Sequence, residues 1–178
     1  MFLFDLLFGK RDPAASAVAE AAAPSAASPP VSHTAPGTNI HFHPDLIGKL
    51  TGDHQLLLKL FGETRAAAVR GDAVAAAARL EEFRVALQSH LLTENIRLYV
   101  YLEHALAGDE QSGRLIHEFR HEMDEIGKVL VGFLGKYRQL AAQPEQTAAF
   151  AAELDGIGKV LVERIRREEG TLYPLYAV

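Results

Sequence analysis

From Pro44 to the C-terminus, apolar residues recur at spacings of three and four, and no β-type alternation interrupts this period. Such spacing puts apolar side chains on one stripe of a helix, which must be buried against other helices. The sequence divides into four long helical segments, about Pro44–Arg70, Asp72–Ala107, Asp109–Ala142 and Pro144–Gly170. Long helices with short links predict an all-α, up-down-up-down antiparallel four-helix bundle.

The segment boundaries carry residues that begin or end helices. Pro44 and Pro144 suit the first turn of a helix, where a missing N–H costs nothing. Gly71 and Gly108 follow the first two segments, as helix-ending glycines do, and Asp72 is a good N-cap for the second.

Residues 1–39 differ from the rest in composition, so the bundle is predicted at residues 40–178. The opening MFLFDLLFGKR is shorter than the roughly 20 residues of a membrane span, and its basic pair follows the apolar part, unlike a secretory signal. The following stretch to about Asn39 is mostly Ala, Pro, Ser and Val, which predicts a disordered linker. The apolar start indicates a sticky terminus, or a short amphipathic segment (residues 1–11) making at most weak peripheral contact with a membrane or partner.

Composition excludes several classes of function. The net charge is -5 and the sequence pI about 5.9, which disfavours nucleic-acid binding. Without cysteine there is no disulfide, thiolate metal site or thiol catalysis, as is typical of a cytoplasmic protein. No nucleophile–base pair, phosphate loop or nucleotide motif is present, so no enzymatic activity is predicted.

The same period predicts which side chains face inward, and polar residues stand among them. The inward stripes comprise Ile47, Leu50, His54, Leu57, Leu58 and Phe61; Leu80, Phe83, Leu87, His90, Glu94, Leu98 and Tyr101; Ile116, Phe119, Met123, Ile126, Leu130, Phe133 and Tyr137; and Phe150, Leu154, Ile157, Leu161, Arg164, Glu168 and Leu172. A polar group inside such a stripe destabilises the fold unless it is paired or bound. The polar members therefore mark the predicted site.

Counting along the antiparallel hairpins puts His54, His90, Met123 and Arg164 in one layer, to within about one helical turn. By the same count Glu94 and Glu168 lie one turn away. The pair His117 and His121 has metal-ligand spacing but falls on the opposite, solvated face. His41 and His43 precede the first helix and are predicted to be surface residues in a loop.

These residues resemble the hemerythrin-like, or HHE cation-binding, family from about Pro44 to Tyr176. The similarity rests on GDHQLL, SHLLTEN, RIRREEGTLYPLY and EMDEIG. The resemblance implies a non-haem di-iron centre held by histidines and two bridging carboxylates. It implies that four residues occupy ligand positions: His54, His90, Glu94 and Glu168.

Two departures alter that expectation. Arg164 stands where the family has the histidine of His-x-x-x-Glu, and Met123 stands at another histidine position. A guanidinium has no lone pair to give a metal, and a thioether is a poor ligand for an oxygen-rich iron site. The favoured interpretation is a buried ion-pair network of Arg164, Glu94 and Glu168 in place of the metal centre, with non-haem iron substoichiometric or absent.

Three functions remain open on these grounds. The first is a non-enzymatic binding or regulatory bundle whose di-iron site is partly lost. The second is an iron protein with an altered mono- or di-metal site that binds oxygen or nitric oxide, or stores metal. The third follows a weaker similarity to the Rsd/AlgQ anti-sigma family, which shares an Arg-x-x-x-Glu pattern on its last helix and implies a protein-binding regulator with an unknown partner.

Overall fold

The computed structural model describes residues 34–177, and four long helices dominate them. Their bounds are α1, Leu46–Val69; α2, Ala73–Thr93, continued by a π-helical turn, Glu94–Tyr99, and by α3, Val100–Ala105; α4, Glu110–Lys136; and α5, Thr147–Arg167, continued by a π-helical turn, Glu168–Leu172, and a 3₁₀ turn, Tyr173–Ala177. Within the described part there is no strand, only an isolated bridge between Thr34 and His41. The all-α four-helix prediction is confirmed.

Three residues at the ends of the helices have the capping geometry that helix boundaries favour. Asp72 accepts a hydrogen bond from the backbone N–H of Ala75 at 2.9 Å, and Asp109 accepts one from the backbone N–H of Gln111 at 3.0 Å. Gly71 has a φ of 74°, the left-handed conformation that favours glycine after a helix. The capping interactions thus place the two hairpin turns where the sequence predicts them.

The third of the four long helices, α4, ends earlier than the sequence predicts, at Lys136 instead of Ala142. Leu140–Ala142 and Pro144–Gln146 form two 3₁₀ turns before α5 begins at Thr147. Tyr137 and Leu140 are both buried, and their spacing of three suits a 3₁₀ turn as well as an α-helix. The apolar spacing therefore continues beyond Lys136, where α4 ends, and this is why the predicted helix is too long.

The predicted disordered tail lies outside the described residues, apart from its last part. Residues 34–39 form a turn in which Ala35 N–H donates to the carbonyl of Ile40 at 2.9 Å. Ala35 is fully buried, so this part of the predicted linker packs on the bundle. None of the described helices is long and apolar enough to cross a membrane.

The core consists of two apolar clusters, one at each end of the bundle. The upper cluster includes Leu57, Phe83, Met123, Leu130, Phe133 and Phe150. The lower cluster includes Ala35, Leu50, Leu98, Ile116, Phe119, Leu172 and Tyr176. On α1, His54 lies between Leu50 of the lower cluster and Leu57 of the upper, so the polar site separates the two.

Most of the predicted inward residues are buried or partly buried, but Leu58 is not. Its side chain is 38% exposed, whereas Leu60 is 6% exposed and belongs to the upper cluster. The run of three leucines at 56–58 offers more apolar residues than the stripe can hold, and the stripe continues from Leu57 through Leu60. His117 and His121 are exposed, as the face count predicts.

Helices α1 and α5 approach closely at Gly158. A Cβ atom at this position would lie 2.6 Å from Cε1 of Phe61 on α1. Since real Cβ atoms do not come that close, a side chain at position 158 would force the Phe61 ring to shift. The contact sets the spacing of the two helices just above the polar site.

Candidate metal centre

The five polar residues of the inward stripes converge at the middle of the bundle. His54, His90, Glu94, Arg164 and Glu168 are each at most 5% exposed. The imidazole rings of His54 and His90 lie 4.7 Å apart, centroid to centroid. The structure thus brings together all five candidate residues in one buried cluster.

Each buried glutamate is the first residue of a π-helical turn. Glu94 begins the turn on the second helix and Glu168 the turn on the last. Such turns are rare and occur frequently at functional sites. A π-helix aligns residues five apart, so Tyr99 and Tyr173 follow the glutamates on the same inward face, and both are buried. An α-helical period does not predict this pairing.

His54 is held between an inner and an outer carboxylate. Its Nε2 lies 3.2 Å from Oε2 of Glu168 inside the site, and its Nδ1 lies 2.8 Å from Oε1 of Glu169 at the surface. The ring of Tyr173 stacks on the imidazole at 5.6 Å between centroids. Burial lowers the pKa of His54, but hydrogen bonds with Glu168 and Glu169 outweigh it and leave the pKa raised.

His90 has a looser version of the same arrangement. Its Nε2 lies 3.7 Å from Oε2 of Glu94, and its Nδ1 lies 3.7 Å from Oδ2 of Asp53. Neither distance is a hydrogen bond, and Nδ1 is buried without a hydrogen-bond partner. Burial and the neighbouring His54 lower the pKa of His90 to about 4, so the ring is neutral near pH 7 and keeps a lone pair.

The guanidinium of Arg164 donates hydrogen bonds to three neighbouring side chains. Nε donates to Oε1 of Glu168 at 2.5 Å, Nη1 to Oε2 of Glu122 at 3.2 Å, and Nη2 to the hydroxyl of Tyr99 at 3.0 Å. The guanidinium also lies 4.6 Å above the ring of Phe119. Burial would raise the pKa of Glu168, but His54 and Arg164 together hold it below its usual value.

Glu94 is the least satisfied member of the cluster. The hydroxyl of Tyr173 donates to its Oε1 at 3.0 Å, but its Oε2 is buried without a hydrogen-bond partner. Burial and the nearby Glu168 raise the pKa of Glu94 well above its usual value. The predicted ion-pair network therefore needs correction, because Arg164 donates to Glu168, Glu122 and Tyr99 and leaves Glu94 to Tyr173.

Met123 makes no hydrogen bond in this cluster. It is buried among the residues of the upper apolar cluster, and the carboxylate that reaches Arg164 from α4 is that of its neighbour Glu122. Glu122 also accepts from Nη1 of Arg167, at 2.7 and 2.6 Å to its two oxygens. The sequence count predicted that Met123, on the inward stripe of α4, lies in the layer of the site. The structure instead brings in the half-exposed Glu122 beside that stripe.

Sequence reasoning missed five residues of the site: Asp53, Tyr99, Glu122, Glu169 and Tyr173. Asp53 directly precedes His54, and Glu169 directly follows Glu168. Acidic residues next to buried ligand-type residues are the signal that could have found these two. The tyrosines could be found only by expecting a wider helical turn after each buried glutamate.

Three residues of the cluster could hold a cation. One ligand atom each of His54, His90 and Glu168 lies within 4.8 Å of the others, and Oε2 of Glu94 lies 3.7 Å from Nε2 of His90. Imidazole and carboxylate suit divalent iron, zinc and similar ions. The other oxygen of Glu168, Oε1, accepts a hydrogen bond from Nε of Arg164.

A family model described as the hemerythrin HHE cation binding domain matches residues 45–176 of this chain. The chain therefore belongs to the hemerythrin HHE cation-binding family, as the resemblance indicated. No curated protein and no solved structure gives a significant match. The family is one of cation-binding bundles, and the match spans all four helices and both π-helical turns.

Proposed function

We propose that this chain is a non-enzymatic hemerythrin-like module that binds one divalent cation, with Arg164 taking the place of the second. His54, His90 and Glu168 would hold the ion, and Glu94 would supply a further oxygen. When bound, the ion supplies a Lewis-acidic centre able to accept a small ligand. The fourfold set agrees with the ligand positions that the family resemblance implies.

The observation that carries the proposal is the carboxylate placed behind each imidazole. Metal-ligating histidines usually present one nitrogen to the ion and the other to a carboxylate or carbonyl. Glu169 takes that outer position for His54 at 2.8 Å. For His90 the nearest acid on that side is Asp53, whose Oδ2 accepts from Lys49 and lies 3.7 Å from Nδ1 of the ring. Residues that served only to fill a core would not need a partly exposed acid behind each ring.

The charges inside the cluster also favour a bound cation. Two buried carboxylates, Glu94 and Glu168, face one guanidinium, which leaves one negative charge uncompensated. Without a cation, the raised pKa values of Glu94 and His54 favour a proton in the cluster instead. A divalent ion would replace that proton and give the unpaired Oε2 of Glu94 a partner, which burial otherwise makes costly.

The weaker anti-sigma similarity receives no support from its shared motif. Arg164 and Glu168 are 5% and 2% exposed and bind each other inside the bundle. Residues buried in this way stabilise a core and do not contact a protein partner. A partner-binding role therefore needs a surface elsewhere on the molecule.

Thermal melting with and without cation tests the proposal. Anaerobic ferrous iron should stabilise the full chain, by about 2.7 kcal/mol at a free concentration one hundred times the Kd. His90→Ala should abolish this gain, whereas His121→Ala, which removes an exposed histidine of the same bundle, should keep it. Equal melting of the parent chain with and without ferrous iron, zinc or manganese would contradict the proposal.

A further inference from the structure

A long apolar groove runs between α4 and α5 in the upper half of the bundle, away from the metal centre. It encloses about 640 Å³, a volume suited to a sizeable apolar ligand or several side chains. Its walls include Val129, Leu130, Phe133, Ile157, Val160 and Leu161. Val129 is 63% exposed and Val160 49% exposed, so the groove leaves large apolar surface in water.

The charged residues on the rim of the groove are already paired with one another. Lys128 donates to Glu125 at 2.5 Å, and Lys136 donates to Glu153 across the two helices. These pairs leave no free charge to attract an ionic ligand. The chemistry of the groove therefore calls for an apolar occupant, and an amphipathic helix laid along two parallel walls is the usual one.

We propose that residues 1–11 of the same chain occupy this groove. The segment MFLFDLLFGKR carries Phe2, Leu3, Leu6 and Leu7 at helical spacing, followed by a basic pair. These side chains would cover the valines on the lips of the groove, while the basic pair stays in water. The proposal does not depend on whether a cation binds.

The length of the chain between the two partners allows this contact. The described residues begin at Thr34, and Ala35 packs in the lower cluster together with Ile116 of α4. From Ile116 to Phe133 along the helix is about 25 Å at 1.5 Å per residue. Residues 12–33 reach roughly 70 Å when extended, so the tether spans the distance with slack to spare.

Tethering favours this occupant over one that must diffuse in. A tether of such length holds the apolar segment at an effective concentration on the order of millimolar. A second copy of the chain, or a membrane, competes for the same residues but lacks that advantage at micromolar protein concentration. Both alternatives predict different outcomes in the experiment below.

The chain has no cysteine, so single cysteines can report where residues 1–11 lie. The full-length pair Asp5→Cys with Val129→Cys should form an intramolecular disulfide about ten-fold faster than Asp5→Cys with Val85→Cys. Val85 is a matched control, since it is 53% exposed on α2 at a similar height but outside the groove. Adding Leu3→Glu and Leu7→Glu should remove the difference.

Equal rates for the two pairs would overturn the proposal. So would disulfides that join two chains and slow on dilution, because they would place a second copy in the groove. A spin label on Asp5→Cys alone gives an independent reading that needs no change in the bundle. It should broaden the methyl resonances of Val129 and Val160 more than those of Val85, and this preference should survive vesicles of anionic phospholipid if the groove is the true site.

Discussion

At the scale of single residues, the two histidines of the site differ in the acid next to their outer ring nitrogen. His54 has a strong outer partner in Glu169, at 2.8 Å, whereas His90 has only the distant Asp53, at 3.7 Å. The difference is consistent with the opposite pKa shifts of the two rings. His54 is thus the ring whose orientation depends most on a surface acid.

Glu169→Gln should therefore weaken cation binding without unfolding the protein. Loss of such an outer carboxylate typically lowers metal affinity by about 10–100-fold. The measurement is a calorimetric titration of the full chain with zinc or anaerobic ferrous iron. Glu163→Gln, which changes an exposed glutamate paired only with Arg166, should leave the affinity unchanged, and an equal loss in both variants would contradict a specific role for Glu169.

Arg164→Ala should destabilise the cation-free protein by about 3–5 kcal/mol, because it leaves Glu168 buried without its guanidinium. Arg167→Ala removes a half-exposed partner of the same Glu122 and should cost at most about 1 kcal/mol. Urea unfolding of both variants near pH 7 gives the comparison.

The loss in Arg164→Ala should shrink at acid pH. Without the guanidinium, the folded-state pKa of Glu168 rises above its unfolded value, so the folded state takes up a proton more readily. A carboxyl with a raised folded pKa favours folding below its unfolded pKa, and that contribution is lost as pH rises through the folded pKa. A deficit that stays constant between pH 7 and pH 5 would show that Glu168 is not stranded.

At the scale of helices, the described part of the bundle combines a regular α-helical period with local π-helical and 3₁₀ turns. The apolar spacing predicts which faces pack, and the caps at Asp72 and Asp109 predict where helices begin. The π-helical turns that begin at Glu94 and Glu168 do not follow from spacing, because an α-helical period does not mark where a wider turn begins. The sequence also does not predict the 3₁₀ turn at Leu140–Ala142, because apolar residues continue there at helical spacing beyond the end of α4.

Gly158→Ala should separate α1 from α5 just above the site. The new methyl would collide with Phe61, and overpacking of this kind costs typically 1–3 kcal/mol. Gly156→Ala on the same helix meets nothing within 4 Å and should stabilise the protein by about 0.5–1 kcal/mol, as alanine does in a helix. Thermal melting of the two variants decides it, and equal shifts would show that Phe61 moves aside freely.

At the scale of the whole molecule, two apolar clusters enclose one polar layer, and the candidate cation site lies in that layer. The family resemblance points to two metals, while Arg164 and Met123 indicate from the sequence that iron is substoichiometric or absent. The proposal of a single cation lies between these two. It rests on the Glu94 oxygen that has no hydrogen-bond partner and on the outer acids Asp53 and Glu169, which become visible only once the helices are packed. Adjacent acids in the sequence hint at this arrangement, but only packing shows which of them reach an imidazole.

The central claim is that Arg164 takes the place of a second cation, and counting bound ions tests it most directly. Native mass spectrometry of the anaerobic full chain with ferrous iron should show one ion in the parent protein. Met123→His together with Arg164→His, which restores both histidine positions of the family, should show two. Two ions in the parent chain, or none in either protein, would contradict the account.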